Sequence, residues 1–295
     1  MIERRDLYVS ASDGLRLYAR ESGPRAGSAL PVVCLPGLAR TSADFDELAD
    51  ELSGNEARPR RVLALDYRGR GRSAWDPDWR RYDVRIELDD VLQVLTAAGI
   101  EEAVFVGTSR GGIITMGLGA SRPALVRGAV LNDIGPVIES RGLVRIRGYV
   151  GKLPAPRTFA EAAEIMKRIS DAQFPAFTGE DWDTMARTTW RDEGGRLVLA
   201  YDPQLMRTLE AVDADAPIPP LWHLFEPLKR VPVLVLRGEN SDILSAETLT
   251  AMQASHPGLQ AVTVPGQGHA PLLRGEWVQR IERFVDETET AARRP

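Results

Sequence analysis

The sequence predicts an α/β fold: a doubly wound, mostly parallel, eight-stranded sheet with an inserted helical cap. Three observations carry that expectation. Short apolar runs alternate with longer amphipathic stretches, which is how a parallel sheet covered on both faces is built. The alternation stops at Gly135 and resumes after Pro227, as an insertion would make it do. A chain of 295 residues exceeds one average domain, and 43% hydrophobic residues are ample for a large buried sheet. The expected division is therefore a core formed by residues 1–134 and 228–295, with a lid over residues 135–227.

Each element has its own signal. Leu7 to Ser10 and Leu15 to Glu21 alternate apolar with polar residues around Ser12-Asp13-Gly14, which reads as a hairpin. Strand Val32 to Leu35, helix Ala43 to Leu52, strand Val62 to Asp66 and helix Val84 to Ala98 follow. Strand Ala103 to Val106, helix Gly112 to Ala120 and strand Gly128 to Leu131 close the first half. The insertion reads as helices, among them Ala160 to Phe174 and Glu180 to Thr189, punctuated by Pro154, Pro156, Pro175, Pro217, Pro219 and Pro220. Strand Val233 to Arg237, helix Ala246 to Ala254, strand Ala261 to Val264 and helix Glu276 to Glu287 complete the core. Right-handed crossovers gather the loops after these strands along one sheet edge.

The chemistry is concentrated in such loops. Gly107-Thr108-Ser109-Arg110-Gly111 lies between a strand and a helix, and G-x-S-x-G in that setting is a nucleophile elbow. The turn is tight enough to strain its central residue, so small neighbours are needed, and Gly107 and Gly111 supply the room. A hydroxyl needs a base to become a nucleophile. Of the 3 histidines, His256 sits at a helix end before Pro257-Gly258, and His223 follows Pro219-Pro220 facing either solvent or a pocket. His269, in the Pro265–Pro271 loop after a strand, is the expected base. The base needs an orienting carboxylate. Asp242, after strand Val233 to Arg237 and 27 positions before His269, ranks first because it keeps the order Ser, Asp, His. Asp133, after Ala129-Val130-Leu131, and Glu239 compete with it.

With these loops in view, the chain resembles the α/β-hydrolase superfamily, as a carboxylesterase-like serine member with a lid. Val32-Val33-Cys34-Leu35-Pro36-Gly37-Leu38 resembles the family's strand and HG turn, with Pro36 where His is usual. Leu65-Asp66-Tyr67-Arg68-Gly69-Arg70-Gly71-Arg72-Ser73 is similar to its D-x-R-G-x-G-x-S turn. The elbow and the Asp242 and His269 loops complete the resemblance. It implies a catalytic triad of Ser109, Asp242 and His269, an oxyanion hole of the Leu38 and Arg110 backbone N–H groups, and no metal or cofactor. Cleavage of a carboxylic ester of a small to medium, largely apolar substrate is the first expectation. Carbon–carbon bond hydrolysis of a vinylogous diketone comes next, ranked below esters because Thr108 and Arg110 differ from the Asn and Met usual beside the carbon–carbon hydrolases' serine, and lactone opening follows it. A non-catalytic small-molecule binder is the alternative from another class. Serine at the elbow argues against epoxide hydrolases and haloalkane dehalogenases, which attack with a carboxylate.

Trp182, Trp190, Trp222 and His223 are candidates for the substrate pocket; a small cap packing its own core is the plainer role for the tryptophans. The net charge of −5 attracts neither nucleic acid nor anionic membrane. All but Lys152, Lys167 and Lys229 of the 37 basic residues are arginine, and Arg68, Arg70 and Arg72, alternating in one turn, are expected to be solvated. Gly69, Gly71 and Ala74 match a dinucleotide-binding spacing, but Pro77 stands where a helix should carry the pyrophosphate. A single cysteine, Cys34, excludes an internal disulfide. No secretion signal or apolar span appears, so a cytoplasmic location without membrane insertion is expected, and a homodimer stays open.

Overall fold

A computed structural model gives the fold and describes residues 3–210, 213 and 216–292. Residues 1, 2 and 293–295 of the expected core, and 211, 212, 214 and 215 of the expected insertion, lie outside the described residues.

The chain opens with the expected hairpin, β1 (Arg4–Ser10) and β2 (Arg16–Ser22), paired antiparallel. β3 (Val32–Leu35) leads through a single 3₁₀ turn, Ser42–Phe45, into α1 (Asp46–Gly54) and β4 (Val62–Asp66). α2 (Val84–Ala98) has clear stops at both ends. The Asp83 side chain accepts from the Arg85 N–H at its start, and Gly99 closes it at φ 65°, a conformation glycine adopts freely. β5 (Ala103–Thr108), α3 (Arg110–Ser121) and β6 (Val126–Asn132) end the first half.

Between β6 and the next sheet strand lie α4 (Ser140–Tyr149), α5 (Phe159–Ser170), α6 (Gly179–Thr189), a small hairpin of β7 (Trp190–Asp192) and β8 (Leu197–Leu199), and the single turn α7 (Trp222–Phe225). α4 and the hairpin were not anticipated: α4 has no side-chain cap, and three-residue strands are too short to show a period of two. α5 stops at Ser170, four residues before the expected end, and Phe174 packs beyond it. β9 (Val233–Gly238), α8 (Ala246–Ser255), β10 (Gln260–Val264) and α9 (Glu276–Ala292) finish the chain.

The eight strands pair in the order β1-β2-β4-β3-β5-β6-β9-β10. β4 through β10 run parallel, and β2 joins β4 antiparallel. Successive residues of a strand point to opposite faces, and the two cores follow that rule. Val33, Leu35, Phe105, Val233 and Val235 bury against α2, α3 and α8. Val32, Cys34, Val104, Val106 and Leu234 bury against α1 and α9. The sheet is thus doubly wound and mostly parallel, as the alternation predicted. A third, smaller core belongs to α5, α6 and β7, with Trp182 and Trp190 at its centre.

The turn after β4 corrects one expectation. Arg68 and Arg70 are fully buried, and only Arg72 is half exposed. Arg68 forks onto Asp90 at 2.6 Å and reaches Asp76 and Asp13. Paired in this way, a buried guanidinium is tolerable where a solitary one would not be.

Candidate active site

Ser109 stands alone between β5 and α3 at φ 50°, ψ −111°, one of two non-glycine residues with positive φ among the described residues. Such a conformation typically costs about 1–3 kcal/mol, so the surroundings must impose it. They do so by close approach. A Cβ on Gly111 would lie 2.0 Å from the Leu35 carbonyl oxygen, and one on Gly107 would lie 2.5 Å from the Gly111 backbone. The Ser109 N–H donates to the Asn132 carbonyl at 3.0 Å, and the Ser109 carbonyl accepts from Gly112 at 2.9 Å. The serine side chain is left at the carboxyl edge of the sheet.

The other non-glycine residue with positive φ is Asp133, at 55°, directly after β6. Its carboxylate is fully buried and accepts three hydrogen bonds: from the Gly238 N–H at 2.7 Å, the Ser241 hydroxyl at 2.6 Å and His269 Nδ1 at 2.7 Å. A carboxylate can only accept, so Nδ1 carries the proton. Nε2 lies 2.8 Å from Ser109 Oγ. The imidazole therefore bridges hydroxyl and carboxylate in one line. Asn132 steadies both sides, its amide donating to Thr108 Oγ1 and to the Pro271 carbonyl of the histidine loop.

The expected acid, Asp242, has another hydrogen-bond partner. Its carboxylate takes the fork of Arg145 on α4, at 2.6 and 2.8 Å. Burial pushes this carboxyl up, but the guanidinium outweighs burial and holds it below the ordinary range. The reason for that pairing is local. The loop after β9 turns so that Ser241 caps Asp133, which sends the next side chain toward the inserted helices. Glu239 has a third role, accepting from the Gly266 N–H at 2.7 Å and so shaping the histidine loop. His256 is buried at the end of α8 with Nε2 3.0 Å from the Val231 carbonyl.

A cavity of about 370 Å³ opens over Ser109 and His269, walled by Leu38, Ile146, Met166, Phe174 and Met185, with Arg40, Arg145, Tyr149 and Tyr201 among its polar groups. Trp182, Trp190, Trp222 and His223 do not line it. Trp182 and Trp190 fill the small core of the inserted segment, Trp222 packs on the main core, and His223 is exposed. Arg145 and Tyr149 escaped sequence analysis because α4 did; residue spacing gave no sign that this helix roofs the serine. Leu38, one residue beyond Gly37 after β3, lines the cavity floor. Arg110 opens α3, so its own N–H precedes the first intrahelical bonds, which Gly112 and Ile113 donate to the Ser109 carbonyl; its side chain turns inward to Glu87 and the Tyr82 carbonyl.

Comparison with known proteins agrees with this fold. The model of the alpha/beta hydrolase family matches residues 32–281. The chain belongs to that family. An alpha/beta hydrolase from Novosphingobium aromaticivorans superimposes with a TM-score of 0.88 at 41% identity, covering 97% of this chain and 99% of that one. The 3-hydroxybutyrate-oligomer hydrolase of Cupriavidus necator is 36% identical over 249 residues, 81% of this chain and 82% of the relative. The 2-(acetamidomethylene)succinate hydrolase of Mesorhizobium japonicum is 26% identical over 82% of each. As a hydrolase of this family, the protein joins one fold to relatives that act on different substrates. Among its described residues, no helix is long and apolar enough to cross a membrane.

Proposed function

We propose that this hydrolase cleaves a carboxylic ester of a small to medium, largely apolar substrate through an acyl-enzyme on Ser109. The observation that carries the reading is the imidazole of His269, 2.8 Å from Ser109 Oγ on one side and 2.7 Å from Asp133 on the other. In this reading Nε2 takes the hydroxyl proton as Oγ attacks the ester carbonyl, and returns it to the departing alcohol. Asp133 holds the imidazole tautomer and balances its charge without taking the proton. The N–H groups of Leu38 and Arg110 receive the developing oxyanion, and water, deprotonated by the same imidazole, releases the acid.

The mostly apolar cavity wall supports a largely apolar acyl or alcohol group, and the similarity to a 3-hydroxybutyrate-oligomer hydrolase supports an ester. The segment between β6 and β9, which supplies Ile146, Met166, Phe174 and Met185 to that wall, serves as the lid that selects the substrate. A free buried thiol at Cys34 suits a cytoplasmic location.

The test is turnover of p-nitrophenyl butyrate and of a 3-hydroxybutyrate dimer by wild type and Ser109→Ala, with fluorophosphonate labelling alongside. Loss of at least about 10³-fold in kcat together with loss of labelling is expected for the variant. Retained turnover in folded Ser109→Ala defeats the nucleophile, and a wild type inert to every ester and to the probe favours a binder.

A further inference from the structure

Beneath the serine lies a buried ionic cluster that the proposed chemistry does not use. Glu87, on α2, is fully buried with both carboxylate oxygens occupied. One accepts from Arg70 Nη1 at 2.6 Å, the other from Arg110 Nε. Arg70 is also fully buried, flanked by the rings of Tyr67 and Tyr82 at 5.6 and 5.5 Å. Its Nε donates to the carbonyl of Leu38 at 2.7 Å, and its Nη1 also donates to the Arg68 carbonyl at 2.6 Å. Arg110 completes its anchorage on the Tyr82 carbonyl at 2.7 Å.

Leu38 and Arg110 come from different loops, after β3 and after β5, and the proposed oxyanion hole needs their two N–H groups aimed at one point. We propose that Glu87 and Arg70 are positioning residues that clamp the two halves of the oxyanion hole together, an inference that rests on the serine reading above. The path is continuous: Leu38 carbonyl, Arg70, Glu87, Arg110. Each end grips a residue whose N–H is to meet the oxyanion, and every link is charged or charge-assisted, hence short and directional. Burial raises the Glu87 carboxyl, yet the two guanidiniums prevail and keep it below the ordinary range, so the clamp is ionic at neutral pH. Oxyanion donors work by being fixed before the reaction. A link between them lowers the barrier without adding any contact to the ground-state substrate.

Glu87→Gln and Arg110→Met separate this role from a purely structural one. Both are assayed with p-nitrophenyl butyrate, and both are titrated with an alkyl trifluoromethyl ketone, whose serine adduct carries the same oxyanion. We expect kcat to fall about 10- to 100-fold with KM within about threefold, less than the roughly 10²- to 10³-fold of deleting a donor. Affinity for the ketone should fall by the same factor as kcat. Glu87→Gln also divides position from field, because removing the anion leaves more positive charge near the oxyanion; an increase in kcat would overturn the clamp. Wild-type kcat in folded Arg110→Met, or a change confined to KM, would overturn it as well, and that variant decides the matter if Glu87→Gln fails to fold. With Ser109→Ala inactive in the same assay, such a failure removes the clamp and leaves the serine reading standing. Turnover by Ser109→Ala removes both.

Discussion

The loops after β6 and β9 each carry an aspartate at the same sheet edge, and the two carboxylates live differently. Asp133 is fully buried, held at positive φ, and takes all its hydrogen bonds from within the core: a backbone N–H, a serine hydroxyl and the imidazole. Asp242 is partly exposed and takes a guanidinium fork from the inserted helix α4. Three fixed donors hold one carboxylate in a single orientation, as an imidazole partner must be held. A fork onto a long arginine ties two segments together, here α4 and the loop after β9. Chain order favours Asp242 as the acid, whereas the proposed function gives that place to Asp133, which meets His269 Nδ1 at 2.7 Å.

The sharpest break of this comparison is Asp133→Asn against Asp242→Asn. Losing the carboxylate beside His269 frees the wrong tautomer, and comparable changes lower kcat by about 10³- to 10⁴-fold. We expect that of Asp133→Asn, measured by ester turnover with circular dichroism to verify folding. The comparison fails if Asp133→Asn keeps more than about a tenth of wild-type kcat while Asp242→Asn loses it, an outcome that would restore the order read from the chain.

What the sequence could and could not reveal follows from the range of the interactions. The sheet was legible because burial on both faces writes unbroken apolar runs, and strands Val32–Leu35 and Val62–Asp66 begin and end where expected, as does the capped helix Val84–Ala98. The serine and histidine loops stood out because a sharp turn needs glycine at fixed offsets. The choice between two aspartates was not local. It depends on which carboxylate meets the His269 ring, and nothing in Asn132-Asp133-Ile134-Gly135 declares that contact. The one local clue was aspartate beside asparagine after a strand, since both tolerate positive φ better than most residues. Arg68 and Arg70 misled for the same reason. Their partners Asp90 and Glu87 lie a helix away, so a charged turn read as solvated is in fact a buried ionic layer.

Ser241 offers a finer cut. Its hydroxyl donates to Asp133 at 2.6 Å and accepts from the N–H groups of Ile243 and Leu244 at 3.2 and 3.0 Å, so it belongs to the loop of one aspartate while serving the other. Ser241→Ala leaves the carboxylate two of its three donors. A hydrogen bond to a charged group is worth about 1.5–3 kcal/mol, and part of that returns as relaxation. We expect kcat to fall about tenfold, well short of Asp133→Asn. An unchanged kcat would mean that the backbone and imidazole alone orient the carboxylate.

The smallest kinetic effect belongs to Asp242→Asn, whose signature is stability. The wild-type carboxyl lies below its ordinary value when folded, held there by Arg145 against the upward push of burial. Between the folded value and the unfolded one, near 3.9, the unfolded chain binds the extra proton, so stability rises with pH across that window. The contribution is complete above about pH 5 and fades as pH falls through the folded value. Asp242→Asn should therefore be less stable than wild type by about 1–2 kcal/mol at pH 7, by urea unfolding, with the gap closing below about pH 4. Its kcat should stay within about threefold of wild type, because the imidazole keeps Asp133. A gap that persists undiminished in acid would show that Arg145 loses packing rather than charge when its partner changes, and the contrast between the two carboxylates would then rest on kcat alone.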